Sequence, residues 1–253
     1  MRRTQDGFTL VELLIVIAIL AMLSAVVVPT VVHGIALARR AMCASNLHAL
    51  GTATRQYLVE SQGWMFPIEE AGVDELGRPG KLWYFGFETD ESRQRPEGQR
   101  TLEKSRARLY RYCGASESLE VCPGFRFDDP LYKPKFSKAW WSYGINASVS
   151  LLRRRNHVGG MGNLDHVILF ADAAQVNFWQ HPASPSRPMY EEWHLIAANK
   201  PLVHFRHSGQ ANVLTLNGAV HRAEPIPGSF DAWLTAAQIG RLRDTPSFYY
   251  WPE

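Results

Sequence analysis

From Phe8 to Val32 the chain reads FTLVELLIVIAILAMLSAVVVPTVV, with Glu12 the only ionisable residue among these 25 positions. At 1.5 Å rise per residue, about 20 apolar residues cross a bilayer, so this run is long enough to span one. Ahead of it stands Met1-Arg2-Arg3-Thr4-Gln5-Asp6-Gly7, a short leader whose two arginines the positive-inside tendency keeps in the cytoplasm. The remainder of the chain then lies on the far side of the membrane, with Arg39 and Arg40 just beyond the run pulling weakly against that orientation. The mean hydropathy of -0.20 averages this one apolar segment with a polar remainder.

Three explanations compete for the segment. A secretory signal peptide has an apolar region of about 7–15 residues before a small-x-small cleavage site. Ala36-Leu37-Ala38 supplies such a site, but the apolar run is longer than a signal peptide uses. A plain membrane anchor accounts for the length yet leaves the Glu12 carboxylate in hydrocarbon, at a cost of roughly 2–3 kcal/mol or more. An acid placed there calls for a partner.

The third explanation rests on Gly7-Phe8-Thr9-Leu10-Val11-Glu12, set between a short basic leader and an apolar helix that contains Pro29. This pattern resembles the class III signal of type IV prepilins and type II secretion pseudopilins. The resemblance implies that a prepilin peptidase/N-methyltransferase cuts after Gly7 and methylates Phe8. It also implies that Glu12 pairs with the Phe8 amine of a neighbouring subunit, and it puts Pro29 where the family helix commonly has its proline. The implied partners are that peptidase, other pilin or pseudopilin subunits, inner-membrane lipid and the secretion machinery.

Past Pro29 the sequence stays helix-compatible to about Glu60. Cys43, Leu47, Leu50, Thr54 and Tyr57 recur at spacings of four, three, four and three, which is one face of an amphipathic helix suited to packing on a globular domain. A helix from Phe8 to Glu60 would be roughly 80 Å long. Pro29 lacks an N–H and clashes with the preceding turn, which predicts a kink or a locally melted turn. Gly34 and Gly51 each lower helix propensity by ~1 kcal/mol relative to Ala, so the outer half depends on tertiary packing.

Beyond Trp64-Met65-Phe66-Pro67 comes a polar stretch over 69–81, and Leu82 to Phe87 is a short aromatic strand candidate. From about Gln99 to Tyr112 mixed charges predict a solvent-exposed helix rather than a binding patch. The segments AWWSYGINA (139–147), VILFA (167–171) and ANVLTL (211–216) read as strands by their β-branched and aromatic content. Asn217-Gly218 signals a two-residue hairpin of type I′, which needs φ > 0 at both positions.

A second resemblance is carried by Cys43-x-Ser45-Asn46-Leu47, Cys122-Pro123, Ser142-Tyr143-Gly144-Ile145-Asn146, Leu169-Phe170-Ala171-Asp172 and His207-Ser208-Gly209-x-Ala211-Asn212-Val213-Leu214. These segments are similar to pilin-like proteins whose C-terminal domain ends in an H-x9-D-G element. Here that element is His207-x9-Asn217-Gly218, with Asn in place of the family's usual Asp, which keeps the turn but not a carboxylate. The two resemblances together touch most of the chain except about residues 68–120 and 173–200.

Three cysteines cannot all pair within one chain. The core-face position of Cys43 and the resemblance that includes Cys122 favour a Cys43–Cys122 disulfide in a compartment where disulfides persist. Cys113–Cys122 is the rival pairing and three unpaired buried thiols the third alternative, since connectivity does not follow from sequence alone. His194, His204, His207 and His221, with Asp172 and Glu192, invite a metal site, but no H-x-x-x-H or C-x-x-C pair occurs and His204-x-x-His207 on a strand or loop is weak evidence. A hydrogen-bonded structural role for His207 near Asn217 is the better reading, and neither a resident metal nor a cofactor is expected. An Asp-rich calcium loop is also missing from the sequence.

The sequence holds no G-x-S-x-G elbow, Walker loop or H-E-x-x-H motif, and Gly159-Gly160-Met161-Gly162 follows no strand. Arg153-Arg154-Arg155 is too short a run to argue for DNA. The formal charge of +3, the difference between 27 basic and 24 acidic side chains, is likewise too small for a dedicated nucleic-acid surface, so no nucleic-acid partner is expected.

The expected architecture is α+β and pilin-like: a long N-terminal transmembrane helix packed through its outer half on a small antiparallel β-sheet domain. Residues 1–7 form a cleaved leader, 8–32 the transmembrane assembly helix, 33–60 its amphipathic outer half and 61–253 a periplasmic or extracellular domain. The expected protein is a single-pass inner-membrane subunit of a type II secretion pseudopilus or type IV pilus-like filament, not an enzyme. A membrane-tethered binding module using Trp140, Trp141, Trp179 and Trp193 is one alternative, and a metal-dependent hydrolase built on Asp172 and His207 is the other.

Overall fold

The computed structural model describes residues 9–113, 121–138, 140–149, 164–246, 248 and 250. The leader, Gly7, Phe8, the Arg153–Arg155 run and the glycines at 159, 160 and 162 lie outside the described residues. Helix α1 runs from Leu10 to Glu60 and is continuous through Pro29, so the locally melted turn is not formed. The Thr30 hydroxyl donates to the carbonyls of Val26 (3.1 Å) and Val27 (2.8 Å) beside the proline.

The two parts of α1 face different surroundings. Every described residue from Leu10 to Val32 is exposed, whereas Cys43, Leu47, Leu50, Gly51, Ala53 and Thr54 are buried. That buried stripe is the face given by the three-and-four spacing. Gly51 is part of it, because a Cβ there would come within 3.1 Å of both Leu214 methyl groups. A residue that weakens an isolated helix thus permits a close helix–sheet approach.

The chain leaves α1 through Gln62 and Gly63, both at positive φ. It then builds an antiparallel meander of β1 (Glu69–Val73), β2 (Pro79–Trp83) and β3 (Gly86–Thr89). The single strand expected over Leu82–Phe87 is therefore two strands joined by a tight turn, with Trp83 paired to Gly86. After the short α2 (Asp90–Arg93), 3-10 turns at Lys104–Arg106 and Tyr110–Tyr112 stand where an exposed helix was expected.

Part of the mixed charge of this region is buried rather than solvated, although Glu103 and Arg111 stay exposed. Arg100 donates from Nε and Nη2 to the two oxygens of the fully buried Glu88, both at 2.8 Å, and from Nη1 to Glu97 at 3.2 Å. Lys133, also fully buried, links Glu97 to Glu191 with two contacts of 2.7 Å. The charges are taken out of water together and matched within the fold, which is how buried ions are tolerated.

The central sheet comprises β4 (Tyr143–Asn146), β5 (Ile168–Asp172), β8 (Leu195–Ile196), β10 (Ala211–Thr215) and β11 (Val220–Ala223) in the order β11-β10-β5-β4-β8. Only the β4–β8 pair is parallel, so the sheet is mixed rather than purely antiparallel. Two-stranded pairs of β6 (Ala174–Asn177) with β7 (Met189–Glu192) and of β9 (Val203–His204) with β12 (Ile239–Gly240) extend the domain. Phe170 and Leu214 point into the core shared with α1, while Ala171 and Val213 enter a second cluster with Phe205 and Phe248. A sheet covered on both faces explains why these strands read as continuous apolar runs.

The β10–β11 hairpin forms where expected but with different geometry. Gly218 is at φ +89°, and Asn217 is not among the positive-φ residues, so the turn is not type I′. Gly218 N–H donates to Thr215 O and Thr215 N–H to Ala219 O, a type I turn followed by a left-handed glycine. The Asn217 carbonyl oxygen of the side chain accepts from Ala219 N–H and the Thr215 hydroxyl.

Two consequences are measurable. Leu50→Ala opens a cavity under the helix–sheet contact and is expected to destabilise the full chain in detergent by about 2–5 kcal/mol in denaturant unfolding. Glu192 is fully buried, accepts from Trp140 N–H and Tyr132 Oη at 2.9 Å, and is pushed up to about 7 by burial. The folded chain therefore keeps a proton that the unfolded chain releases near 4.5, and its stability falls as pH rises through that window. Glu192→Gln is expected to flatten this part of the pH–melting-temperature curve.

Candidate functional site

The first site is the N-terminal part of α1. It is the helix long and apolar enough to cross a membrane among the described residues. Its side chains from Leu10 to Val32 find no cover among the described residues, and burying them at about 25 cal/mol per Å² favours lipid or neighbouring helices. Thr9 caps the helix, and its residues form a reciprocal box with Glu12: Glu12 N–H donates to Thr9 Oγ1 at 3.3 Å, and Thr9 N–H donates to Glu12 Oε2 at 2.9 Å. The Thr9 hydroxyl adds a bond of 2.8 Å to the same carboxylate oxygen. The Thr9-x-x-Glu12 spacing signals this capping box, a local role for Glu12 that the pairing argument overlooked.

The second site is buried at the junction of α1 with the sheet. Cys43 comes from the helix, Cys122 from the Cys122-Pro123-Gly124 turn, Asp172 from the end of β5 and His207 from the turn that precedes β10. One donor atom from each of the four lies within 4.8 Å of the others. Cys43 Sγ donates to Asp172 Oδ1 at 3.1 Å, His207 Nε2 is 3.3 Å from Asp172 Oδ2, and Cys122 Sγ is 3.4 Å from His207 Nε2.

A second layer holds these groups. Asn212 N–H donates to Asp172 Oδ2 at 2.7 Å, and Gly124 N–H donates to Cys122 Sγ at 3.3 Å. Cys122 N–H donates to Ser142 Oγ at 2.6 Å, and Arg206 Nη2 donates to the carbonyls of Ser142 and Ala173. Gly124 is required here, since a Cβ would come within 2.8 Å of the His207 ring. Asn46 fastens α1 beside the cluster by donating to Val121 O and Tyr143 Oη.

The electrostatics follow from these contacts. Burial opposes ionisation of Asp172, but Arg206, His207 and Asn212 N–H outweigh it and hold the carboxyl at about 2. Burial also disfavours the His207 cation, yet its bonds to Asp172 and Cys122 raise it to about 9. Cys43 is pushed up, first by burial and then by its bond to Cys122, whereas Cys122 is drawn down to about 6 against its own burial by Cys43 and His207. A thiolate beside an imidazolium is the chemistry of a cysteine nucleophile. Here both sulfurs are at 0% exposure, so a substrate has no approach to them.

The sequence-predicted residues separate into groups. Cys43 and Cys122 meet as two thiols, and Asp172 and His207 join them in one place. The cluster does not include Cys113. His207 and Asn217 stand before and after β10 and do not meet: the Asn217 carbonyl accepts from Arg55 of α1. His194 is boxed by Trp83, Phe85, Trp140 and Trp193, His204 by Phe125 and Tyr190, and His221 lies against Phe248, so the histidines do not converge. Trp140 and Trp141 are core residues at 2% and 1% exposure, which removes them from any binding surface, while Trp179 is exposed.

Residues 2–28 match the model of the prokaryotic N-terminal methylation motif. Over 75 residues, 30% of this chain, the sequence is 32% identical to the type II secretion system core protein G of Pseudomonas aeruginosa and 35% identical to that of Aeromonas hydrophila. The match spans 51% of each of these proteins, so the chain covers about half the length of the curated relatives it matches. No solved structure matches the chain. A methylation motif leads an exposed apolar helix that packs at its outer end on an α+β domain, and over its N-terminal part the chain is similar to prepilin-type pseudopilins.

Proposed function

We propose that the chain is a pseudopilin-type subunit of a secretion pseudopilus or related filament, cut after Gly7 and N-methylated on Phe8. The observation that carries this reading is the unsheathed apolar helix from Leu10 to Val32, with one carboxylate, Glu12, near its start and a methylation motif over its beginning. Lipid covers that surface in the single subunit and like helices cover it in the filament. Glu12 takes the Phe8 amine of a neighbouring subunit, and Pro29 stands near the outer end of the packing surface.

The role is mechanical rather than catalytic. The leader lies on the cytoplasmic side of the inner membrane, the helix crosses it once, and the α+β domain faces the periplasm and sets contacts on the outside of the filament. The prepilin peptidase/N-methyltransferase, other pseudopilin subunits and the secretion machinery are the partners in this reading. The names of the similar proteins support it through the secretion system they belong to.

The mass of the N-terminal peptide from host membranes tests the processing step. A chain beginning at N-methylated Phe8, and remaining at Met1 in a strain lacking the prepilin peptidase, is the expected outcome; a start near Arg39 would refute it. Glu12→Ala is expected to be cleaved normally and to remain in the membrane fraction, but to fall at least tenfold in sheared filaments, as about 1.4 kcal/mol per decade would require.

A further inference from the structure

We propose that Cys43, Cys122, Asp172 and His207 form a tetrahedral zinc site that pins the helix to the sheet domain. The inference is independent of filament assembly, because it concerns only how one chain holds itself together. Four side chains of the types that bind zinc converge, buried, from four separate parts of the fold. Zinc bonds of about 2.3 Å to sulfur and about 2.0–2.2 Å to nitrogen or oxygen place tetrahedral ligands about 3.3–3.8 Å apart. The 3.3 Å from His207 Nε2 to Asp172 Oδ2 and the 3.4 Å from His207 Nε2 to Cys122 Sγ are edges close to that size, and one donor atom from each of the four lies within 4.8 Å of the others; Cys43 Sγ meets the other Asp172 oxygen, Oδ1, at 3.1 Å.

The surroundings suit the ion as well as the donors do. Two thiolates, a carboxylate and a neutral imidazole around Zn(II) carry one net negative charge, and the Arg206 guanidinium, 2% exposed and 3.8 Å from Asp172, supplies the matching positive charge. Gly124 N–H points at Cys122 Sγ and Asn212 N–H at Asp172, the outer bonds that orient metal ligands. On binding, Zn(II) displaces the Cys43 thiol proton and the one proton held between Cys122 and His207, and both are released to solvent. With all four positions filled by protein, the site is closed and structural, not catalytic.

A disulfide between the same two cysteines is the competing use of the sulfurs, and it would leave Asp172 and His207 outside the bond. The test uses the full chain purified in detergent from host membranes without chelator, with metal content, non-reducing peptide mapping and X-ray absorption measured on one sample. The expected result is one zinc per chain, with two sulfur neighbours at about 2.3 Å and two nitrogen or oxygen neighbours at about 2.0–2.2 Å. Cobalt-loaded protein should show thiolate-to-cobalt charge-transfer absorption that is lost in Cys43→Ser and changed in Asp172→Asn. A Cys43–Cys122 disulfide without zinc would overturn the proposal, as would two free thiols that take up no stoichiometric zinc. The wild-type measurements decide the matter even where a variant fails to fold.

Discussion

The docking of the outer part of α1 on β10 and β5 is the contact on which the rest of the molecule depends. It lies between one length of helix with no cover among the described residues and a domain whose core is incomplete without the other length. Leu47 and Leu50 share one buried core with Phe170 and Leu214, and Gly51 lets the helix come close to Leu214. Because helix propensity alone does not hold such a segment in water, this apolar contact holds the helix in its outer half. It also joins whatever happens in the membrane to the folded domain outside it.

Polar chemistry reinforces that contact at points where apolar packing alone would leave the helix free to slide or turn. Asn46, His48 and Arg55 reach from α1 to Val121, Gly218 and Asn217, at separate places along the helix. One turn before the first of these the four-residue cluster adds a contact from Cys43. Directional bonds at several heights fix rotation and register, which non-directional burial does not. The buried ion network of Glu88, Arg100, Glu97, Lys133 and Glu191 does the same for the meander and the β6–β7 pair.

Much of this was legible from residue spacing. The three-and-four recurrence of Cys43, Leu47, Leu50 and Thr54 located the buried stripe, and the runs VILFA and ANVLTL located β5 and β10. Local signals carry local structure. The cluster was not legible as a set, because Cys43 and Asp172 are 129 positions apart and Cys122 and His207 are 85 apart. Each residue carries its own signal in the sequence, the cysteines for a disulfide and Asp172 with His207 for a hydrolase, but only the sheet order brings the two pairs together. The charges near Arg100 misled for the same reason: Lys133, which binds Glu97, is 36 positions away and invisible to any helical window.

On the proposed assembly route, in which the helix waits in lipid as a lone molecule, the Thr9–Glu12 box changes how its inner end behaves. A carboxylate with no partner in hydrocarbon would drive premature pairing with any passing donor. Glu12 already has the Thr9 amide and hydroxyl, so a newcomer must replace existing bonds rather than relieve an empty acceptor. The net gain from such an exchange is small beside the strength of either bond. Encounters between wrong neighbours can then come apart, and only a match along the whole apolar length persists.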